Sequence, residues 1–255
     1  LDDIFAIADG KVGYINRIAG NSSYGLYVVI EHEDEVGTVY SLYSHLASVP
    51  SELRGGQSVE RGQRIGQMGN TSTLGIPHQR SHLHLEIGVM MNPSFSRWYR
   101  EQRMTPNHGN HHGFNLTGFD PMLLLEKLAG VEEIPFSFKQ TLQDIPVAIR
   151  LILRSRHTPN YFSLYPDLWK DELYSSAAMV LFLSENGVIL KGRNASETEL
   201  RELGSAQRKV LDVSTDALGR NGGRLVEQSG NNWQVARGGE RWLEKLMYDA
   251  SSRSN

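Results

Sequence analysis

Ser81-His82-Leu83-His84-Leu85-Glu86-Ile87 alternates polar and apolar side chains with period two, the pattern of a β-strand with one face in a core. On such a strand His82, His84 and Glu86 share one face, and Leu83, Leu85 and Ile87 the other. Residues i and i+2 have α-carbons about 6.5–7 Å apart. One imidazole can therefore hold a metal while its neighbour reaches the metal's water or a substrate. A half-buried edge strand with solvated histidines gives the same pattern at even odds, so the surroundings have to decide.

Upstream of this stretch the same β alphabet recurs. Ile4–Ala8 ends at the turn dipeptide Asp9-Gly10, Lys11–Ile18 resumes strand character, and 20–23 (GNSS) reads as a turn. Leu26–His32 and Thr38–Leu46 are rich in aromatic and β-branched residues. Glycines 55, 56 and 62 punctuate two further short strands within Ser58–Met68. Short strands with glycine turns suggest a sandwich or small barrel rather than a parallel sheet with crossover helices. Alternation along Tyr43-Ser44-His45-Leu46 puts His45 on the face of Tyr43.

Downstream, 92–118 is rich in Pro, Asn, Gly and His and reads as a long loop or insertion. Asp120-Pro121 followed by MLLLEKL predicts a helix start with Pro at the first helical position, ended by Gly130, where we place a domain boundary. Residues 131–255 read as mainly helical. Within them, VLFLSENGVILKG is either the end of a helix or a hairpin on Asn186-Gly187. The capping box Ser196-Glu197-Thr198-Glu199 starts a helix of roughly 197–218, and Trp233 with Trp242–Tyr248 suggests a last amphipathic piece.

The 255 residues contain no cysteine and nine histidines, eight of them between His32 and His112. With 39% hydrophobic and 22% charged residues the composition is globular. Lack of thiols excludes disulfides, thiolate nucleophiles and sulfur-ligated zinc. Net charge −3 argues against nucleic acid as a partner, and no stretch has the 18 or more apolar residues of a membrane helix.

Six blocks in one order carry a family resemblance: 6–12 (AIADGKV), 24–32 (YGLYVVIEH), 40–46 (YSLYSHL), 59–66 (VERGQRIG), 68–71 (MGNT) and 82–87 (HLHLEI). Together, over roughly residues 3–128, they resemble the lysostaphin/LytM-type zinc metalloendopeptidases, which cut peptide cross-links in bacterial peptidoglycan. The resemblance implies a mainly β catalytic domain, 1–130, with an antiparallel sheet of the duplicated-hybrid-motif kind, closed by the helix near 121–129. It implies Zn2+ as cofactor, with His84 as a metal ligand and His45 and His82 as catalytic histidines that orient or deprotonate the metal's water and stabilise the oxyanion. Zinc lowers the pKa of its water to about 7 and polarises the scissile carbonyl, and an imidazole moves the proton. Tyr43 and Glu86 are read as strand packing, with orientation of the imidazoles as the other reading. The location implied is the cell envelope, periplasmic or secreted.

The family's other two ligands, a His and an Asp in H-x3-D, precede the block that begins at Ala6, and no histidine precedes His32 here. The expectation is a fragment of a longer active enzyme, inactive alone. The alternative is a non-catalytic relative that binds or regulates cell-wall hydrolases. A lipoyl- or biotinyl-carrier reading fails, because no lysine lies between Lys11 and Lys127 to be modified. The histidine-rich 107–113 reads as a polar insertion at the groove rim, with metal binding as a second reading, and 131–255 has no assigned role.

Overall fold

The computed structural model describes residues 2–128, 137–219 and 224–250. In chain order the first half contains β1 (Asp3–Phe5), β2 (Gly10–Asn16), β3 (Leu26–Asp34), β4 (Gly37–Leu46), β5 (Ser58–Val59), β6 (Arg64–Gln67), β7 (His84–Met90), α1 (Phe95–Glu101), β8 (Leu116–Phe119) and α2 (Met122–Leu128). The second half contains α3 (Phe138–Asp144), β9 (Ile149–Arg154), α4 (Tyr161–Leu164), β10 (Ala178–Leu183), β11 (Ile189–Asn194), α5 (Glu197–Leu203), β12 (Arg208–Val213), α6 (Thr215–Leu218), β13 (Val226–Ser229), β14 (Asn232–Val235) and α7 (Arg237–Met247).

The centre of the first half is a six-stranded sheet in the order β5-β2-β3-β4-β7-β8, antiparallel throughout. The β reading of 4–87 and its antiparallel character are borne out. One face of the sheet buries Val12, Val28, Ile30, Tyr43 and Leu46 beneath Ile4 and Ile65 of the antiparallel pair β1–β6. The opposite face carries Tyr27, Val29, Tyr40, Leu42 and Leu116, joined by Tyr14 and Tyr24. The segment read as a loop, 92–118, instead holds α1 and ends in β8, which extends the sheet beside β7. Phe95, Trp98 and Tyr99 of α1 pack with Tyr248, so the polar residues of this segment surround an aromatic anchor.

The second half is not mainly helical, as the sequence suggested. Its helices alternate with an antiparallel sheet, β11-β10-β9-β12, and a hairpin, β13–β14. The apolar run at 178–183 pairs on both edges, and the turn is the Asn186-Gly187 hairpin, with Gly187 at φ +82°. The helix begun by the Ser196 capping box stops at Leu203. Gly204 takes φ +59°, and Val210 and its neighbours pair with β9 instead. The expected helix near 121–129 is present as α2, whose Leu124 is buried; its end at Gly130 and the boundary placed there lie outside the described residues.

The largest apolar cluster among the described residues crosses from one half to the other. Val39, Ile87, Val89 and Phe119 of the sheet pack with Phe138, Leu151, Tyr165, Leu181 and Trp242. Polar ties reinforce it: the Tyr165 hydroxyl donates to the Thr38 carbonyl at 2.9 Å and accepts from the Met90 N–H at 2.9 Å. This brings α7 up to the edge of the sheet that bears His84.

Candidate functional site

His45, His82 and His84, the three histidines singled out by sequence, meet. The His45 ring lies 4.9 Å from the His82 ring and 5.7 Å from that of His84, centroid to centroid. Simple alternation along β4 does not produce this, and the expectation that His45 shares the face of Tyr43 is corrected. Leu26 is opposite Leu46 and Val28 is opposite Tyr43, so Tyr27 alone faces both Ser44 and His45. This is a β-bulge, a device that re-aims a side chain. His45 adopts φ +61° at the bulge and donates its backbone N–H to the Tyr24 carbonyl. Its ring turns towards the histidines while Tyr43 stays in the opposite core, where its hydroxyl accepts from the Ile7 N–H and from Ser41. The packing role read for Tyr43 is what its contacts describe.

His82 precedes β7 rather than lying in it, and is pinned by a bridge to Gly69. His84 opens β7 opposite Ser44.

The hydrogen bonds set the tautomers. A carbonyl oxygen only accepts, so His45 Nδ1–H donates to the Thr71 carbonyl at 2.9 Å and His82 Nδ1–H donates to the Arg80 carbonyl at 2.8 Å. In both rings Nε2 is left without a partner among the described residues, available to take a proton. His84 is turned the other way: Nε2–H donates to Glu86 Oε1 at 2.9 Å, and Nδ1 is left open. Glu86 is held in turn by the Tyr24 hydroxyl at 2.6 Å. Burial and the Glu86 charge push the Tyr24 phenol well above its ordinary value, so it remains a donor. Glu86 therefore orients His84, the reading that strand packing was preferred over. Burial lowers the His45 pKa, the Thr71 hydrogen bond opposes this, and charge on His82 or His84 would lower it further, so the ring is neutral at pH 7.

Sequence reasoning assigned no role to Tyr24 or Thr71, although both lie in the quoted blocks. The signal was Gly25. Its φ is +63° and a Cβ there would lie 2.1 Å from the Thr71 carbonyl oxygen, so only glycine lets the Thr71 backbone come close enough to hold His45.

The loop histidines are built into the packing. His108 Nε2 donates to the Asn21 carbonyl while Nδ1 accepts from the Tyr14 hydroxyl; His111 contacts Glu31 at 2.7 Å; His112 Nδ1 accepts from the Phe114 N–H. His32 is fully buried between the Asp9 carbonyl and Ser41.

Zinc chemistry suits an imidazole whose second nitrogen is held by a carboxylate, as His84 is held by Glu86. The number of donors does not suffice: among the described residues no group of three or more His, Asp or Glu side chains is placed to hold a metal ion. A cavity of about 500 Å3 adjoins the cluster, walled by Tyr24, His84 and Glu86 on one side and by Trp242 and Lys245 of α7 on another.

Residues 2–94 match the model of peptidase family M23. The chain is 37% identical over 90 residues to an uncharacterized metalloprotease of Haemophilus influenzae, covering 35% of this chain and 17% of that protein. It is 42% identical over 69 residues to the peptidoglycan DD-endopeptidase ShyA of Vibrio cholerae, covering 27% of this chain and 14% of that one. The chain thus spans under a fifth of the length of these curated relatives. Among solved structures it is similar to a zinc-containing peptidase from Vibrio cholerae (34% identity, 31% of this chain and 21% of that chain, TM-score 0.25). It is also similar to the catalytic domain of lysostaphin from Staphylococcus simulans (22% identity, 49% and 70%, TM-score 0.31).

Proposed function

We propose, from the match of residues 2–94 to peptidase family M23, that this part of the chain is a lysostaphin/LytM-type peptidase domain and that His45, His82 and His84 serve a zinc-dependent endopeptidase that hydrolyses peptide cross-links of peptidoglycan in the cell envelope. The observation that carries this reading is the convergence of three imidazoles with divided tautomers: two offer Nε2 and one offers Nδ1. In it His84 Nδ1 is a metal ligand. His45 and His82 are the proton carriers: Nε2 of one takes a proton from the attacking water as the carbonyl is attacked, and the proton passes to the leaving amine when the C–N bond breaks. The Thr71 and Arg80 carbonyls hold Nδ1–H of both rings, so Nε2 is the nitrogen that takes the proton and gives it up.

The described residues do not complete a zinc site, so no step is derived through the metal. The remaining ligands are assigned to an upstream His and Asp spaced H-x3-D, and the 255 residues alone are expected to be inactive. The second reading is a non-catalytic relative that binds or regulates wall hydrolases. The test is release of cross-linked muropeptides by the full-length gene product with and without a chelator. Zinc-dependent release that is lost in His84→Ala and in His82→Ala is expected. Retention of activity in both variants defeats the site, and an upstream sequence without an H-x3-D pair makes the second reading the better one.

A further inference from the structure

The cavity beside the imidazoles has a wall that the family match does not reach. Beyond Tyr24, His84 and Glu86 it is lined by Phe114 and Phe119, then by Glu185, Arg224, Trp242 and Lys245 of the second half. At about 500 Å3 it is within the usual range of ligand sites. Lys245 is placed in it by α7: Trp242, Leu243 and Leu246 are buried in the core, and Lys245, one turn beyond Trp242, is half-buried at the cavity edge. The ammonium group has three N–H donors and uses one, to the Phe114 carbonyl at 2.7 Å. It pairs with no carboxylate among the described residues, and the charge that acts on it is a further cation, Arg241, while His112 beside it is neutral at pH 7. Arg224 adds another cation to the same wall. The nearby carboxylates are otherwise disposed: Glu86 holds Tyr24 and His84, and Glu185 rests against Gly219. Burial, with Arg241 adding to it, pushes the Lys245 pKa down to about 8, the behaviour of a cation short of an anion.

We propose that Lys245 is the anchor for a free carboxylate on the peptide being cut, so that the second half of the chain forms a specificity subsite of the peptidase site. Main-chain amides are neutral, and the ligand chemistry that matches a half-buried ammonium with open donors is a carboxylate. The inference rests on the peptidase reading for the identity of the ligand as a peptide.

The test reads binding, with a chelator present and no hydrolysis. Three probes are titrated against the chain by calorimetry: N-acetyl-tetraalanine ending in carboxylate, the same peptide ending in carboxamide, and N-acetyl-Ala-Glu-Ala-Ala amide. The expected result is that one or both acid peptides bind about tenfold more tightly than the neutral one. Which acid peptide does so distinguishes a terminal carboxylate from a side-chain one. Lys245→Met is expected to abolish the preference and Lys245→Arg to keep it, both variants being checked for unchanged far-UV circular dichroism. Equal binding of all three peptides, no binding of any at about 10 mM, or a preference that survives Lys245→Met overturns the proposal. Absence of hydrolysis by the full-length protein would defeat the peptidase reading and leave this binding result standing, so the two failures are distinguishable.

Discussion

Asn92 is a polar bolt between the two halves, and its removal has a cost that follows from its contacts. The residue is fully buried. Its side-chain amide donates to the carbonyls of Lys245 and Tyr248, both at 2.7 Å, and its Oδ1 accepts from the Ser94 N–H at 2.8 Å. Its own backbone is satisfied by Asn115 and would remain so in a variant. In Asn92→Ala the Lys245 carbonyl keeps a long bond from the Tyr248 N–H at 3.4 Å, so it is only partly orphaned. The Tyr248 carbonyl and the half-buried Ser94 N–H each lose their bond to the Asn92 side chain. Each hydrogen bond lost costs about 0.5–1.5 kcal/mol net. Entry of a water into the space left by the amide would offset part of that. The expected loss is about 2–4 kcal/mol, a large share of the roughly 5–15 kcal/mol by which a domain is stable. Urea unfolding followed by tryptophan fluorescence and by far-UV circular dichroism measures it. Trp98 reports the first half and Trp169, Trp233 and Trp242 the second, so a coincident transition with a lowered midpoint is the expected form. Asn92→Asp should lose more at neutral pH, because a carboxylate would face two carbonyl oxygens and donate to neither. A loss below about 1 kcal/mol in Asn92→Ala would refute the reasoning, leaving the apolar cluster and the Tyr165 hydrogen bonds to hold the halves together.

Gly25→Ala puts a Cβ 2.1 Å from the Thr71 carbonyl oxygen at φ +63°. A left-handed backbone alone costs about 1–2 kcal/mol for a residue with a Cβ, so we expect at least about 2 kcal/mol of destabilisation by urea unfolding together with a shifted His45 ring signal in NMR; an unchanged His45 signal would separate the glycine from the site. Burial first, then the charges of His108 and Lys245, lowers the His112 pKa to about 4. The unfolded imidazole, near 6.5, takes its proton first as pH falls, so this contribution is complete above pH 6.5 and is lost between about 6.5 and 4. Unscreened linkage would be about 3 kcal/mol, and because the ring is partly exposed about 1–2 kcal/mol is expected. Unfolding at pH 7 and pH 4.5 should show a smaller pH dependence in His112→Gln than in the native chain, and an identical dependence would contradict the assignment. Ser196→Ala removes the acceptor of the Glu199 N–H from the α5 capping box and should cost about 1 kcal/mol; no change in the urea midpoint would mean that the Arg193–Glu199 pair, at 2.7 Å, fixes the start of α5 unaided.

What could be read from sequence follows the range of the forces involved. Period-two alternation and glycine turns are local, and they located the strands and the three imidazoles that converge. The direction of His45 is not local. It depends on Tyr27 of β3 facing two residues of β4, a property of a strand pair that no single strand encodes. The same limit explains the second half. A capping box marks where α5 starts, but its end at Leu203 is set by β9 offering an edge to Arg208–Val213, and that edge is some fifty residues away in sequence. The histidine-rich loop makes the point from the other side. Composition counts imidazole donors, and 107–113 is dense in them, yet His108 has both nitrogens occupied and His112 lends its Nδ1 to the Phe114 N–H. His111 is held by one nitrogen as well, against Glu31 at 2.7 Å, so a held nitrogen does not by itself mark a site. At His45, His82 and His84 two conditions coincide: Thr71, Arg80 and Glu86 each fix one nitrogen of a ring, and the rings converge, with His45 lying 4.9 Å from His82 and 5.7 Å from His84. Convergence of rings that each keep a nitrogen open, and not the number of histidines, thus distinguishes this cluster from the loop histidines.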